Sequence, residues 1–302
     1  MVIRWLRNFS IAVLVGTIIF AVVVQAVRTT KQDHTIPTIS TDSDVLEIPC
    51  KYTQQQLMKG VTAEDSKDGD LTDQILVGNF SRFIEPGNCK LKYVVFDSDN
   101  HMASLTRQVK FTDYHSPQFG LATGLNFAKN TTSRMEVEQL FSASDLLDGD
   151  LTEWMTFGDS NAIYNAAGDY TIYVEVANSF GDVVGYEFPI HIYERDAMNF
   201  DISLNQPIVY INQGSSFDPM DYVDSISDNN GNYYDPMLLD IDSSVDTSKP
   251  GLYEVHYVIN SNTGIQHITS ETEETERLLT YVQDTRMYGE MWLTVIVQGG
   301  AQ

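Results

Sequence analysis

Basic residues are scarce in this chain: 18 Lys and Arg stand against 42 Asp and Glu, for a formal net charge of −24. Four of the basic residues, Arg4, Arg7, Arg28 and Lys31, fall in the first 31 positions, so the remainder carries −28. That balance disfavours a nucleic-acid partner, because phosphate recognition rests on Lys and Arg. The acids are spread along the chain, which reads first as solubility. Catalytic signatures are also missing. The six histidines (His34, His101, His115, His191, His256 and His267) never form H-x-x-x-H or H-E-x-x-H. There is no G-x-S-x-G, no P-loop and no Gly-rich dinucleotide fingerprint, so the commonest hydrolase, NTPase and dehydrogenase signatures are absent. Catalytic triads are set in space rather than in sequence. The expectation is nonetheless a protein that is not an enzyme, needing no cofactor.

Long apolar runs are equally scarce. The one clear case runs from about Phe9 to Val27, preceded by Arg4 and Arg7, with no acid before Asp33. Its length is close to the ~20 residues that span a bilayer as a helix. The basic flank places the N-terminus in the cytoplasm and the residues beyond the run outside. Small residues at Val24 and Ala26 would suit signal-peptidase cleavage, but the run exceeds a usual signal core, so a retained signal anchor is expected. No sorting motif or second apolar segment appears near residue 302, which leaves the first segment as the visible anchor. The predicted localisation is the cell membrane, single-pass, with the remaining domains extracellular.

What the sequence does have is repetition. Residues 63–72 and 143–152 share the pattern A-x-D-x-x-D-G-D-L-T at an offset of 80 residues. Repeats at a fixed period imply repeated structural units. After each copy a Gly starts a run with period 2: Cys89, Leu91, Tyr93 and Val95, then Tyr170, Ile172, Val174 and Val176. A third run comes after Gly251: Tyr253, Val255, Tyr257 and Ile259. Alternation of this kind marks half-buried strands of antiparallel sheets. The third unit replaces Asp-Gly-Asp by Asn230, Gly231 and Asn232, with Asp228 three residues before the Gly.

These phrases resemble the bacterial immunoglobulin-like domains that recur in tandem in surface proteins of Gram-positive bacteria and also occur in some insecticidal crystal proteins. The resemblance covers roughly residues 40–298. It rests on D-x-x-D-G-D-L-T and on the Pro-Gly strand phrase at 245–253. It implies an all-β fold of tandem seven-stranded Ig-like β-sandwiches, with a stalk or binding role. The third unit departs in its Asn-Gly-Asn, and the second lacks a Pro before Gly168.

The organisation predicted is residues 1–31 as cytoplasmic flank and transmembrane anchor, 32–42 as a Thr-rich linker, and Ig-like units at 43–113, 114–195 and 196–298 before a short tail, 299–302. The third unit carries an insertion at 261–289. Within it Ser270 and Glu273 fit a capping box before a short amphipathic helix, with an extended hairpin as the alternative.

Three groups of candidate site residues remain. Cys50 and Cys89, the only cysteines, lie in unit one, and an even pair outside the membrane reads as a disulfide closing a loop of about 40 residues. The clusters Asp65, Asp68, Asp70 and Asp145, Asp148, Asp150 have two readings. They are either turns in which Asp side chains accept backbone N–H groups around Gly69 and Gly149, or metal ligands for Ca²⁺, which takes 6–8 oxygens. The turn is favoured, because the spacing is not that of an EF-hand. Tyr233 and Tyr234 are the ligand-binding candidates, as aromatics in the divergent loop of unit three. The leading functional reading is a membrane-anchored extracellular protein acting in adhesion, surface assembly or as a stalk, with surface proteins or glycans as partners. A carbohydrate-binding or sensing ectodomain read by unit three is the second. An enzyme sited in the insertion is the third.

Overall fold

A computed structural model describes residues 2–31, 35–194, 198–260 and 288–299. The chain divides into two compact units, Met1–Thr112 and Asp113–Gln302. The first begins with helix α1 (Val2–Lys31). From Phe9 to Gln25 its described side chains are exposed, apart from the half-buried Val24. Among the described residues no helix is long and apolar enough to cross a membrane. The expected span is found as the helix α1, whose crossing of a membrane the described residues do not show.

The rest of the first unit is a sandwich of seven strands: β1 (Thr38–Thr41), β2 (Val45–Ile48), β3 (Val61–Asp65), β4 (Gly69–Asp70), β5 (Leu76–Phe80), β6 (Asn88–Phe96) and β7 (Met102–Phe111). Helix α2 (Gln54–Leu57) is a single turn closed by a capping box between Thr53 and Gln56. The sheets run β1-β3-β4 and β2-β7-β6-β5. Strand β1 lies inside the stretch expected to be linker. Its Thr-rich sequence hides a ladder in which Ile39 pairs with Ala63 and Thr41 with Val61.

The second unit holds two more sandwiches with the same plan. The first has β8 (Gln118–Leu121), β9 (Asn126–Ala128), helix α3 (Arg134–Glu138), β10 (Phe141–Asp145), β11 (Gly149–Asp150), β12 (Thr156–Ser160), β13 (Gly168–Ala177) and β14 (Val183–Tyr193). The other has β15 (Phe200–Leu204), β16 (Ile208–Asn212), β17 (Val223–Asp228), β18 (Tyr233–Tyr234), β19 (Asp240–Ser243), β20 (Gly251–Asn260) and β21 (Tyr288–Gln298). Their sheets run β8-β10-β11 with β9-β14-β13-β12, and β15-β17-β18 with β16-β21-β20-β19. In every four-stranded sheet the first pair (β2 with β7, β9 with β14, β16 with β21) is parallel and the rest antiparallel.

The alternating runs become the inner faces. Leu91, Tyr93, Val95, Ile172, Val174, Val176, Val255, Tyr257 and Ile259 are all buried, and each contributes about 1.5–3 kcal/mol of hydrophobic stabilisation. One inner position differs among the sandwiches. Arg107, opposite Leu91, stands where Phe188 faces Ile172 and Leu293 faces Val255. Its buried guanidinium donates to the Lys59 carbonyl (2.7 Å) and to Ser43 Oγ (2.6 Å), tying the β1–β2 connection to the core.

The expected disulfide does not form. Cys50 and Cys89 are both buried, and neither is in a disulfide. The sheet order explains it: Cys89 is on β6, Cys50 comes just after β2, and β7 stands between those strands. Two strand spacings of about 4.8 Å exceed the roughly 4.4–6.8 Å between the Cα atoms of bridged cysteines. The helix-or-hairpin expectation at 270–283 lies outside the described residues.

Candidate functional site

The repeated acidic phrase forms the same turn twice. At the end of β3, Asp65 Oδ1 accepts the backbone N–H of Lys67 (2.8 Å) and of Asp68 (3.0 Å). Asp68 reaches the β6–β7 hairpin, accepting Ser98 N at 2.7 Å and Ser98 Oγ at 2.9 Å. Asp70 Oδ1 accepts Thr72 N at 2.9 Å, and Thr72 Oγ1 accepts Ala63 N at 3.1 Å. In the second sandwich Asp145 takes Leu147 N (2.7 Å) and Asp148 N (3.0 Å), and Asp148 takes Ser179 N (2.6 Å) and Oγ (2.7 Å). Asp150 takes Thr152 N (2.9 Å), and Thr152 Oγ1 takes Ala143 N (3.2 Å). Bonds from the Thr hydroxyls and N–H groups hold the Asp70 and Asp150 carboxyls below their ordinary range. Gly69 and Gly149 sit at φ +74° and +78°, a left-handed conformation that costs a residue with a Cβ about 1–2 kcal/mol.

The divergent loop keeps the device with fewer acids. Asp228, at the end of β17, accepts Asn230 N, Asn232 N and Asn232 Nδ2, each at 2.9 Å, and the Tyr234 hydroxyl at 3.1 Å. Burial pushes its carboxyl up, but these bonds outweigh burial and hold it well below the usual range. One carboxylate here accepts four bonds, all from its own loop and the strand after it. Among the described residues no group of three or more His, Cys, Asp or Glu side chains is placed to hold a metal ion.

The two tyrosines separate. Tyr234 is half-buried, bonded to Asp228 and packed edge-on against Phe200 at 5.0 Å. Tyr233 is 78% exposed, on the edge strand β18. Trp154, after the second acidic turn, is also exposed.

A second cluster, which no sequence motif marks, lies where the second and third sandwiches meet. Ile296 is part of the second sandwich's core, and Ile208, Tyr210 and Leu252 pack against it. The Tyr210 hydroxyl accepts Phe119 N at 2.5 Å. Gly124 allows the approach: a Cβ there would stand 2.9 Å from Asn126 Oδ1 and 3.1 Å from Met291 Sδ. On this surface the Trp292 indole lies between two imidazoles. His191 from β14 stacks on one face at 4.0 Å and 8°, and His256 from β20 on the other at 4.2 Å and 10°. His191 Nδ1 meets Asp169 Oδ1 at 2.8 Å, and Nε2 meets Glu254 Oε1 at 3.0 Å. His256 Nε2 meets Glu290 Oε2 at 3.0 Å.

The signal was present in β21. Residues 293–297 read Leu-Thr-Val-Ile-Val, an apolar run broken only by Thr294, and all five are buried, as in strands covered on both faces. Alternation with Val255 and Tyr257 makes His256 an outward strand residue, and it is one; its outward face is covered by Trp292.

Residues 203–271 match the family described as bacterial surface protein, Ig-like domain. The pesticidal crystal protein Cry22Aa of Bacillus thuringiensis is 26% identical over 214 residues, or 67% of this chain. The chain spans 28% of that relative's length. Among solved structures, one of CBM51-2 in complex with GlcNAc and INT domains from Clostridium perfringens ZmpB is 17% identical, covering 54% of this chain and 30% of that one at TM-score 0.21. Human CDH23 EC21-23 is 11% identical, covering 87% and 100% at TM-score 0.22. Likenesses at these TM-scores carry no inference about this chain.

Proposed function

We propose that this is a non-catalytic Ig-like protein displayed on a bacterial surface, held at the membrane by α1 and acting in adhesion, surface assembly or spacing. The observation that carries the reading is the match of residues 203–271 to a bacterial surface Ig-like domain, within a chain that repeats one sandwich plan. Helix α1 supports the anchor: Phe9, Ile11, Val13, Leu14, Ile18 and Phe20 are among its exposed apolar side chains, which a lipid environment would cover. The strong acidity keeps the outer domains soluble and repels them from anionic surface polymers. Protease treatment of intact cells expressing the full chain should digest the sandwiches and leave a membrane fragment containing α1. Release of an intact chain beginning near Val27 would contradict the anchor.

A second reading, recognition of a glycan or surface protein by the third sandwich, is favoured by Tyr233, an exposed aromatic of the kind that stacks on a partner. A glycan and surface-protein screen with the full chain tests it, and binding should fall at least tenfold in Tyr233→Ala. Binding that survives this substitution assigns the ligand elsewhere.

A further inference from the structure

We propose that the joint between the second and third sandwiches is a proton-operated latch, in which a doubly protonated His191 ties Glu254 of the third sandwich to the second and loses that hold when it gives up its proton.

The geometry demands the cation. A neutral imidazole has one N–H and one bare lone pair. Here both ring nitrogens face carboxylate oxygens, at 2.8 and 3.0 Å, so a neutral ring would set a lone pair against one of them. Only the imidazolium donates to both. The Trp292 face at 4.0 Å adds a cation–π contact, favourable for the charged ring alone.

The charges around the ring are one-sided. Asp169 on β13 is the register partner of His191, and Glu254 lies on β20. Glu290 is on β21, and Asp242 on β19 is the register partner of His256. Tyr193, on β14 itself, has its hydroxyl raised by burial and then by Asp201 and Glu290. None of the strands that build the joint (β8, β9, β13, β14, β16, β19, β20 and β21) contains a lysine or arginine. His191 and His256 are therefore the groups on these strands that can become cationic.

The two bonds are unequal. The Asp169 side chain is 84% exposed and the Glu254 side chain 23%. Water screens the first strongly, so the bond to Glu254, which crosses from one sandwich to the other, carries the coupling. Burial lowers the affinity of His191 for a proton, but Glu254 and then Asp169 more than restore it, and the group titrates above its ordinary value. A raised imidazole stabilises the folded joint fully below the unfolded value of about 6.5. The contribution fades as pH rises through the folded value, so the latch is closed in mild acid and loosens in alkali.

The test uses the full chain with Trp5→Phe and Trp154→Phe, leaving Trp292 as the reporter. An imidazolium stacked on indole quenches its emission, so emission should rise between about pH 5 and pH 9 with a midpoint above 6.5. Over the same range, hydrogen-exchange protection of 189–193 and 291–295, corrected for intrinsic rates, should fall by about tenfold. His191→Phe, which keeps an aromatic ring on Trp292, should abolish both pH effects. Glu254→Gln should lower the midpoint, and Asp169→Asn should hardly move it. A flat profile overturns the latch, as does a midpoint at or below 6.5. A profile surviving in His191→Phe assigns the titration to His256 and also overturns it. If His191→Phe fails to fold, the Glu254→Gln and Asp169→Asn pair decides: equal shifts in the two refute the cross-sandwich bond.

Discussion

Removing Asp228 separates a turn held by one carboxylate from a turn that any polar loop could make. Asp228→Ala strips the acceptor from two backbone N–H groups, one carboxamide and one phenol. Each bond to a charged acceptor is worth about 1.5–3 kcal/mol, and an orphaned buried donor costs about 1–3 kcal/mol. Asn230 and Asn232 are exposed, so water recovers part of the loss, and Tyr234 can turn its hydroxyl outward. The net cost should be about 2–4 kcal/mol. For a unit the size of residues 113–302 that is a fall of about 4–16 °C in Tm. Asp228→Asn should lie between alanine and wild type, because it keeps one oxygen for the two N–H groups. The sign with pH comes from the depressed carboxyl. Its contribution is present above about pH 4 and is lost as pH falls through the lower folded value. Urea unfolding of the full chain at pH 7 and at stepwise lower pH checks both points. An Asp228→Ala protein as stable as wild type, or one with undiminished acid sensitivity, would show that the carboxylate does not hold this turn.

Other residues give further expected outcomes. Tyr210→Phe leaves Phe119 N without its acceptor and should cost about 1–3 kcal/mol in denaturant unfolding, whereas a neutral result would place that hydroxyl outside the joint. Gly149→Ala meets no atom within 4 Å, so its cost is backbone alone, about 1–2 kcal/mol in thermal unfolding, and Asn there should cost less. Both cysteines should resist alkylation in the folded protein and both should react after unfolding without reductant. Burial supports this by pushing the Cys89 thiol up to about 11, and a mass-mapped Cys50–Cys89 bridge would contradict it.

The repeat phrase and the alternating runs made most of the architecture legible, because a turn with satisfied polar groups and a strand with one buried face both leave local signatures. Leu91, Ile172 and Val255 lie on inner faces as their spacing requires. Strand β1 was hidden because Thr and Ser serve a strand edge and a linker equally well. An even number of cysteines suggests a bridge, but bonding depends on which strand lies between them, and that is a matter of topology. Tyr234 and Tyr233 are adjacent in sequence, yet strand alternation gives one to Asp228 and the other to solvent. The His191–Trp292–His256 stack joins residues 101 (292 − 191) and 36 (292 − 256) positions apart, so no spacing rule could have assembled it. The apolar run at 293–297, broken only by Thr294, was its one local trace.

The packing around Ile296 predicts that the second and third sandwiches unfold as one body, and calorimetry of the full chain carrying Ile296→Ala tests that directly. A buried Ile→Ala change costs about 2–5 kcal/mol, and the melting of residues 113–302 should shift down as one transition involving both sandwiches. A wild type in which these sandwiches melt separately, or a variant in which one shifts while the other stays, would contradict it.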